Sequence, residues 1–151
     1  MDDGATIPAV TVTAPDGTAI RLVDLPLPAV VYFYPKDDTS GCTREAQDFS
    51  ALADQFVAAG SGVIGISKDA PASHGKFIAK HGLTVSLASD EDGSACDAFD
   101  VWGEKQMYGR TYMGIERATF LFGADGRLAK AWRRVRVPGH AAAVLETVQA
   151  L

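Results

Sequence analysis

Cys42 is the residue whose surroundings most plainly suggest chemistry. The thiolate is the nucleophilic form of cysteine, and a helix N-terminus favours it through unpaired N–H groups and the positive end of the dipole. After Cys42, the residues Ala46, Phe49, Leu52, Ala53, Phe56 and Val57 recur at three- and four-residue steps, the period of an amphipathic helix. Cys42, Ala46, Phe49, Ala53 and Phe56 share one stripe, so the thiol faces the core from the first turn. Gly41 allows backbone to come close, and Thr39 sets a hydroxyl three residues before the sulfur. The local charges do not favour an anion. Lys36 and Arg44 are outnumbered by Asp37, Asp38, Glu45 and Asp48, so a working thiolate needs a cation from elsewhere in the chain. The same residues also fit a buried structural cysteine that behaves as a small hydrophobe.

The element that positions Cys42 is the apolar run Ala29–Tyr34, β-branched and aromatic, which reads as a buried strand closed by Pro35. Ahead of it, Val10–Thr13 and Ile20–Val23 flank Asp16-Gly17, a hairpin signal. The Cys42 helix is expected to end near Ala59-Gly60, and Gly62–Ser67 fits a neighbouring parallel strand, giving a strand–helix–strand unit. Pro71 opens a helix that Gly82 stops; Val85–Ala88 reads as a short strand, and Ser94–Phe99 as a short helix carrying Cys96. Glu104–Gly114 is a glycine-bounded stretch without clear periodicity and reads as a loop. Ala118–Phe122 and Leu128–Arg134 flank a second hairpin signal, Asp125-Gly126, and His140–Ala150 closes the chain as an amphipathic helix. This order suggests one α/β domain over 1–151, with a mixed central sheet, helices on both faces and an N-terminal β-hairpin.

Composition excludes several classes. The chain is 47% hydrophobic and 22% charged, as in ordinary globular proteins rather than disordered ones. No apolar run is long enough to span a bilayer, and MDDGATIP lacks the basic start of a secretory signal; a cytoplasmic protein without a membrane partner is expected. A net charge of −5 disfavours nucleic acid, and the basic cluster Arg133, Arg134 and Arg136 reads as a solvated strand edge. Two cysteines without a CxxC make neither a disulfide framework nor a thioredoxin-type pair. His74, His81 and His140 have no ligand spacing, so neither a metal nor another cofactor is expected.

The spacing Pro35-x-x-x-Thr39-x-x-Cys42 resembles the peroxidatic motif of the peroxiredoxins. The wider string YFYPKDDTSGCTREAQDF is similar to the bacterioferritin-comigratory (peroxiredoxin Q) subfamily, and the resemblance runs from Pro8 to Leu151. It implies a thioredoxin-like fold and a thiol peroxidase acting on hydrogen peroxide and small organic hydroperoxides. It also supplies the missing cation: Glu116-Arg117-Ala118-Thr119-Phe120-Leu121 looks like the strand bearing the family's active-site arginine, which points to Arg117. On residue type alone, Arg117 reads as a surface arginine. In the implied mechanism Cys42 attacks a peroxide oxygen and becomes a sulfenic acid. Thr39, the Cys42 N–H and Arg117 hold the oxygens, Pro35 shields the sulfur, and Glu45 orients Arg117 unless it is only a first-turn carboxylate.

The chain departs from the subfamily where a resolving cysteine is usual. Gln47 stands five residues after Cys42, and Ala72–His81 contains no cysteine. Cys96 is then either a helix cysteine packed beside Phe99 or a resolver, within the chain or across a dimer, that must approach by local unfolding. A one-cysteine cycle in a monomer is the preferred reading. Its donor is an external thiol, and the family association suggests thioredoxin or a glutaredoxin–glutathione system. A peroxide sensor or redox relay, an inert thioredoxin-like binding module and, least of all, a cysteine hydrolase are the competing readings.

Overall fold

A computed structural model describes residues 1–151. Nine strands and five α-helices alternate: β1 (Thr11–Thr13), β2 (Ala19–Arg21), β3 (Ala29–Phe33), α1 (Ser40–Ala51), α2 (Ala53–Ala58), β4 (Gly62–Ser67), α3 (Pro71–His81), β5 (Ser86–Ser89), α4 (Ser94–Ala98), β6 (Trp102–Met107), β7 (Arg110–Ile115), β8 (Ala118–Phe122), β9 (Leu128–Trp132) and α5 (His140–Gln149). Seven strands form one mixed sheet in the order β2-β1-β5-β4-β3-β8-β9. β3 runs parallel to β4 and antiparallel to β8, so Val31 stands between Ile64 and Phe120. Neighbours on both sides and cover on both faces explain why every residue of β3 is buried and apolar.

Side chains alternate across a strand, so β3 splits the interior in two. Val31 and Phe33 point into a core with Phe120, Phe122, Phe99 and Cys96. Val30, Tyr32 and Tyr34 point into a second core with Cys42, Phe49, Phe56, Phe77 and the inner face of α5. The two cysteines therefore lie on opposite faces of the sheet, both unbonded and buried. Helices α1, α2, α3 and α5 cover the Cys42 face, and α4 covers the other.

Three features differ from the sequence reading. The expected single helix after Cys42 is two, with a break at Leu52 (φ −100°, ψ 4°). The end of α1 is drawn toward the segment before β5: Ser50 Oγ accepts from the N–H groups of Thr84 and Val85, and Thr84 Oγ1 donates to the Ser50 carbonyl. The run Ile20–Val23 yields only the end of β2, then a 3₁₀ turn over Leu22–Asp24. The largest difference is Glu104–Gly114, which is not a loop. It is most of the antiparallel hairpin β6–β7, a separate two-stranded sheet. Its tip, Tyr108-Gly109, takes positive φ at both residues (53° and 74°), as tight hairpin turns require.

One glycine in β4 is fixed by its neighbour on β3. A Cβ on Gly65 would sit 2.5 Å from Cζ of Tyr32, whose ring stacks on Phe49 of α1 at 4.7 Å. Both atoms of that clash belong to the packed layer under Cys42, so neither can yield cheaply. Gly65→Ala is expected to destabilise the fold by ~1–3 kcal/mol, the usual cost of overpacking. A thermal melt lowered by several degrees would show it, and an unchanged melting temperature would contradict it.

Candidate active site

β3 continues through Tyr34, whose N–H donates to the Ile66 carbonyl at 3.1 Å, and is then released at Pro35. The turn that follows leads straight into α1, with Thr39 at the N-cap (φ −95°, ψ 156°). Thr39 does not cap through its side chain; its Oγ1 donates backward to the Lys36 carbonyl at 2.9 Å. The first-turn amides, including that of Cys42, therefore keep their donors for an outside acceptor. Cys42 sits in this turn with its residue 2% exposed, in the core that holds Tyr32 and Phe49.

The cation that the local sequence lacks arrives between β7 and β8. Arg117 Nη2 lies 3.3 Å from Cys42 Sγ, and Nη1 lies 2.7 Å from Glu45 Oε1. One guanidinium thus bridges the sulfur and a carboxylate one turn further along α1. The backbone holds this arginine firmly: Glu116 N–H donates to the Val101 carbonyl, and Val135 N–H donates to the Arg117 carbonyl. Gly41 provides the necessary clearance, since a Cβ there would stand 3.2 Å from Arg117 Nη2. Glu45 is buried, with its other oxygen unpartnered. Burial pushes its carboxyl up to about 7, against the pull of Arg117.

Two of the acidic residues counted against the site, Asp37 and Asp38, face elsewhere. Asp37 is buried and accepts from Tyr34 Oη (2.6 Å) and Ser73 Oγ (2.7 Å), and pairs with His74 Nδ1 (2.8 Å). Its own N–H donates to Asp69 Oδ2, which also accepts from Ser67 Oγ. Burial would raise the Asp37 carboxyl, but the hydrogen bonds from His74, Tyr34 and Ser73 outweigh it and hold it below its ordinary value. Asp38 is exposed and pairs with Lys80 and His81. Both aspartates therefore tie the turn before Cys42 to α3. This network was not legible in the sequence, because its partners lie about forty residues apart. His140 is buried on the same face, its Nε2 2.7 Å from Thr119 Oγ1; burial, then the Arg117 charge, push it down to about 4.

An open groove of about 670 Å³ borders the site, with Pro35, Arg117, Lys105, Trp102 and Arg134 among its walls. A larger hollow of about 820 Å³ between Pro28, Gln55 and Leu151 shares no residue with this site. Of the residues singled out in the sequence, Cys42, Arg117 and Glu45 form one hydrogen-bonded set, and Pro35 lines the same groove as Arg117. Thr39 is exposed beside them with its hydroxyl turned to Lys36. Cys96 stands apart, fully buried on the other face, and burial and the Asp90 carboxylate push its thiol well above the ordinary range. Arg133 follows the edge strand as expected but is not free. It pairs with Glu116 and donates to the carbonyls of Phe99 and Asp100.

Residues 4–131 match the AhpC/TSA family. A peroxiredoxin Bcp of Bacillus subtilis is 42% identical over 150 residues, 99% of this chain and 96% of its own length. One of Xanthomonas campestris is 51% identical over 121 residues, 80% of this chain and 76% of its own. The chain belongs to the AhpC/TSA family, among the Bcp-type peroxiredoxins. As a peroxiredoxin it is an enzyme of the thiol peroxidase class. The fold agrees. The bacterioferritin comigratory protein of X. campestris superposes with a TM-score of 0.89 at 44% identity, covering 99% of this chain and 98% of that one. A Cys-to-Ser form of the Xylella fastidiosa PrxQ superposes with 0.93 at 42%, covering 99% and 96%. This peroxiredoxin thus has the expected thioredoxin-like α/β fold with a mixed central sheet. No helix is long and apolar enough to cross a membrane.

Proposed function

We propose that the protein reduces hydrogen peroxide and small organic hydroperoxides at Cys42 through a one-cysteine cycle. The observation that carries this reading is the 3.3 Å contact between Arg117 Nη2 and Cys42 Sγ at the mouth of a helix whose first-turn amides are unspent. The Cys42 thiolate attacks one peroxide oxygen; the S–O bond forms as the O–O bond breaks. The departing oxygen leaves as hydroxide or alkoxide, stabilised by the guanidinium and the Cys42 N–H, and takes a proton to become water or an alcohol. Pro35 limits water at the sulfur, Glu45 orients Arg117, and Thr39 Oγ1 turns from Lys36 toward the bound oxygens. The X. campestris relative has alkyl peroxide reduction activity, which supports organic hydroperoxides as substrates here.

The resulting sulfenic acid is reduced from outside. Support comes from the separation of the sulfurs: Cys42 and Cys96 belong to different cores on opposite faces of the sheet, and a disulfide needs its Cα atoms within about 7 Å. Thioredoxin or a glutaredoxin–glutathione system, available in a reducing cytoplasm, supplies the electrons to a monomer. The test is intact-mass analysis of wild type and Cys96→Ser after one equivalent of peroxide with dimedone present. A single dimedone adduct on Cys42 in both, without a disulfide, is expected. A Cys42–Cys96 disulfide in wild type would overturn the one-cysteine cycle, and an unoxidised Cys42 would overturn the peroxidase reading.

A further inference from the structure

The outer part of the β6–β7 hairpin is uncovered. Every residue from Gln106 to Met113 is exposed. Met107, Tyr108, Tyr112 and Met113 are half of the eight large hydrophobic side chains exposed on the whole surface, and Tyr108 is 97% exposed. A two-stranded ribbon gains little by itself, and apolar groups left in water on one projecting element signify contact with something else. By strand alternation Lys105, Met107, Arg110 and Tyr112 share one face. Lys105 lines the groove that leads to Arg117 and Pro35, so this face continues the active-site mouth.

Groove wall and hairpin together carry five cations against the three carboxylates of Asp100, Glu104 and Glu116. The chain carries −5 overall, yet the guanidinium groups of Arg110 on the hairpin and Arg134 on the opposite wall pair with no carboxylate. We propose that this hairpin face is the docking surface for the protein that returns electrons to Cys42, a dithiol reductase whose nucleophilic sulfur stands in an apolar surface bordered by acidic side chains. The proposal rests on the external-donor cycle given above. The sulfur to be reduced is almost wholly buried against Arg117, which lines this groove, so the donor's sulfur enters from the groove while its body rests on the rim. A small thiol needs no such platform. A second copy in a two-fold contact would bring the same excess of cations from both sides.

The chemistry balances with a dithiol. A donor thiolate attacks Cys42 Sγ, an S–S bond forms, the S–O bond breaks, and the hydroxide is protonated to water. The donor's second thiolate then attacks the first, freeing the Cys42 thiolate and leaving the donor oxidised by two electrons.

The test uses the full chain with hydrogen peroxide and compares three donors: dithiothreitol, thioredoxin with its reductase, and glutaredoxin with glutathione. The triple variant Met107→Ser, Tyr108→Ser, Arg110→Glu is expected to lose tenfold or more in kcat/KM for whichever protein donor serves the wild type. Its turnover with dithiothreitol should stay within twofold, and its thermal melt should match wild type. Arg110→Glu alone is expected to lose several-fold, and less at high salt. Unchanged kcat/KM for the protein donor in the triple variant overturns the proposal. So does a hairpin whose substitution abolishes sedimentation with phosphatidylglycerol vesicles, or self-association, while donor kinetics stay the same. A wild type that turns over with dithiothreitol but with neither protein donor overturns it as well. Failure with every donor, dithiothreitol included, instead removes the peroxidase reading beneath it.

Discussion

Arg117→Ala is expected to lower the second-order rate constant for peroxide by about 10²–10³-fold, the usual loss when one donor to a developing oxyanion is removed. Two physical effects combine. The guanidinium lies 3.3 Å from the sulfur and is the cation that offsets the charge of a thiolate in an apolar surrounding. It also faces the space where the departing oxygen gathers charge. Arg117→Lys should recover only part of the rate. The arginine uses two different nitrogens, one on Cys42 and one on Glu45, and a single ammonium cannot reproduce that fork. Stopped-flow measurement of peroxide consumption under single-turnover conditions reads the effect directly. A loss below threefold in Arg117→Ala would mean that the contact is structural and that the amides of α1 alone stabilise the transition state.

Glu45→Ala should be the most destabilising change at the site, by about 3 kcal/mol, because removing one member of a buried pair strands the other. Glu45→Gln keeps an acceptor for Arg117 Nη1 and should cost less. The pH dependence separates charge from packing. Burial raises the Glu45 carboxyl to about 7 from an ordinary 4.5, so the folded chain holds this proton more tightly than the unfolded chain. Its contribution to stability is therefore full below pH 4.5 and is lost as the pH rises through 7. The carboxylate that fixes Arg117 forms over the same interval. Wild type should accordingly show a component of the peroxide rate that grows as the pH rises through about 7, together with a falling stability component. Glu45→Gln should lack both. Urea melts and single-turnover rates between pH 5 and pH 9 would check this, and identical slopes in the two proteins would refute it.

The parts of the site that were legible in the sequence are those encoded locally. Ala29–Tyr34 is buried on both faces and had to be continuously apolar, and Pro35 and the stripe from Cys42 to Phe56 follow the same logic. Arg117 was visible only through resemblance, because its meaning lies in a contact with Cys42 across 75 residues. The hairpin β6–β7 was missed for a reason that bears on its role. Its outer part, Gln106 to Met113, is exposed on both faces and has no inward side to fill, so alternation does not appear there, and the Tyr108-Gly109 turn is the signal that could have found it. The break at Leu52 has no Gly or Pro to mark it; it reflects hydrogen bonds from Thr84 and Val85, more than thirty residues away.

The two aspartates ahead of Cys42 bear on how the site moves. Asp37 and Asp38 fasten the turn before Cys42 to Ser73, His74, Lys80 and His81, which span α3 from its first turn to its last. The turn therefore does not fluctuate as an independent surface loop. It shares the opening free energy of a whole helix, as one cooperative unit of native-state unfolding. Strengthening α3 at a distance stiffens the place where peroxide binds. Fraying α3 loosens that place, with no change to any residue that touches the sulfur.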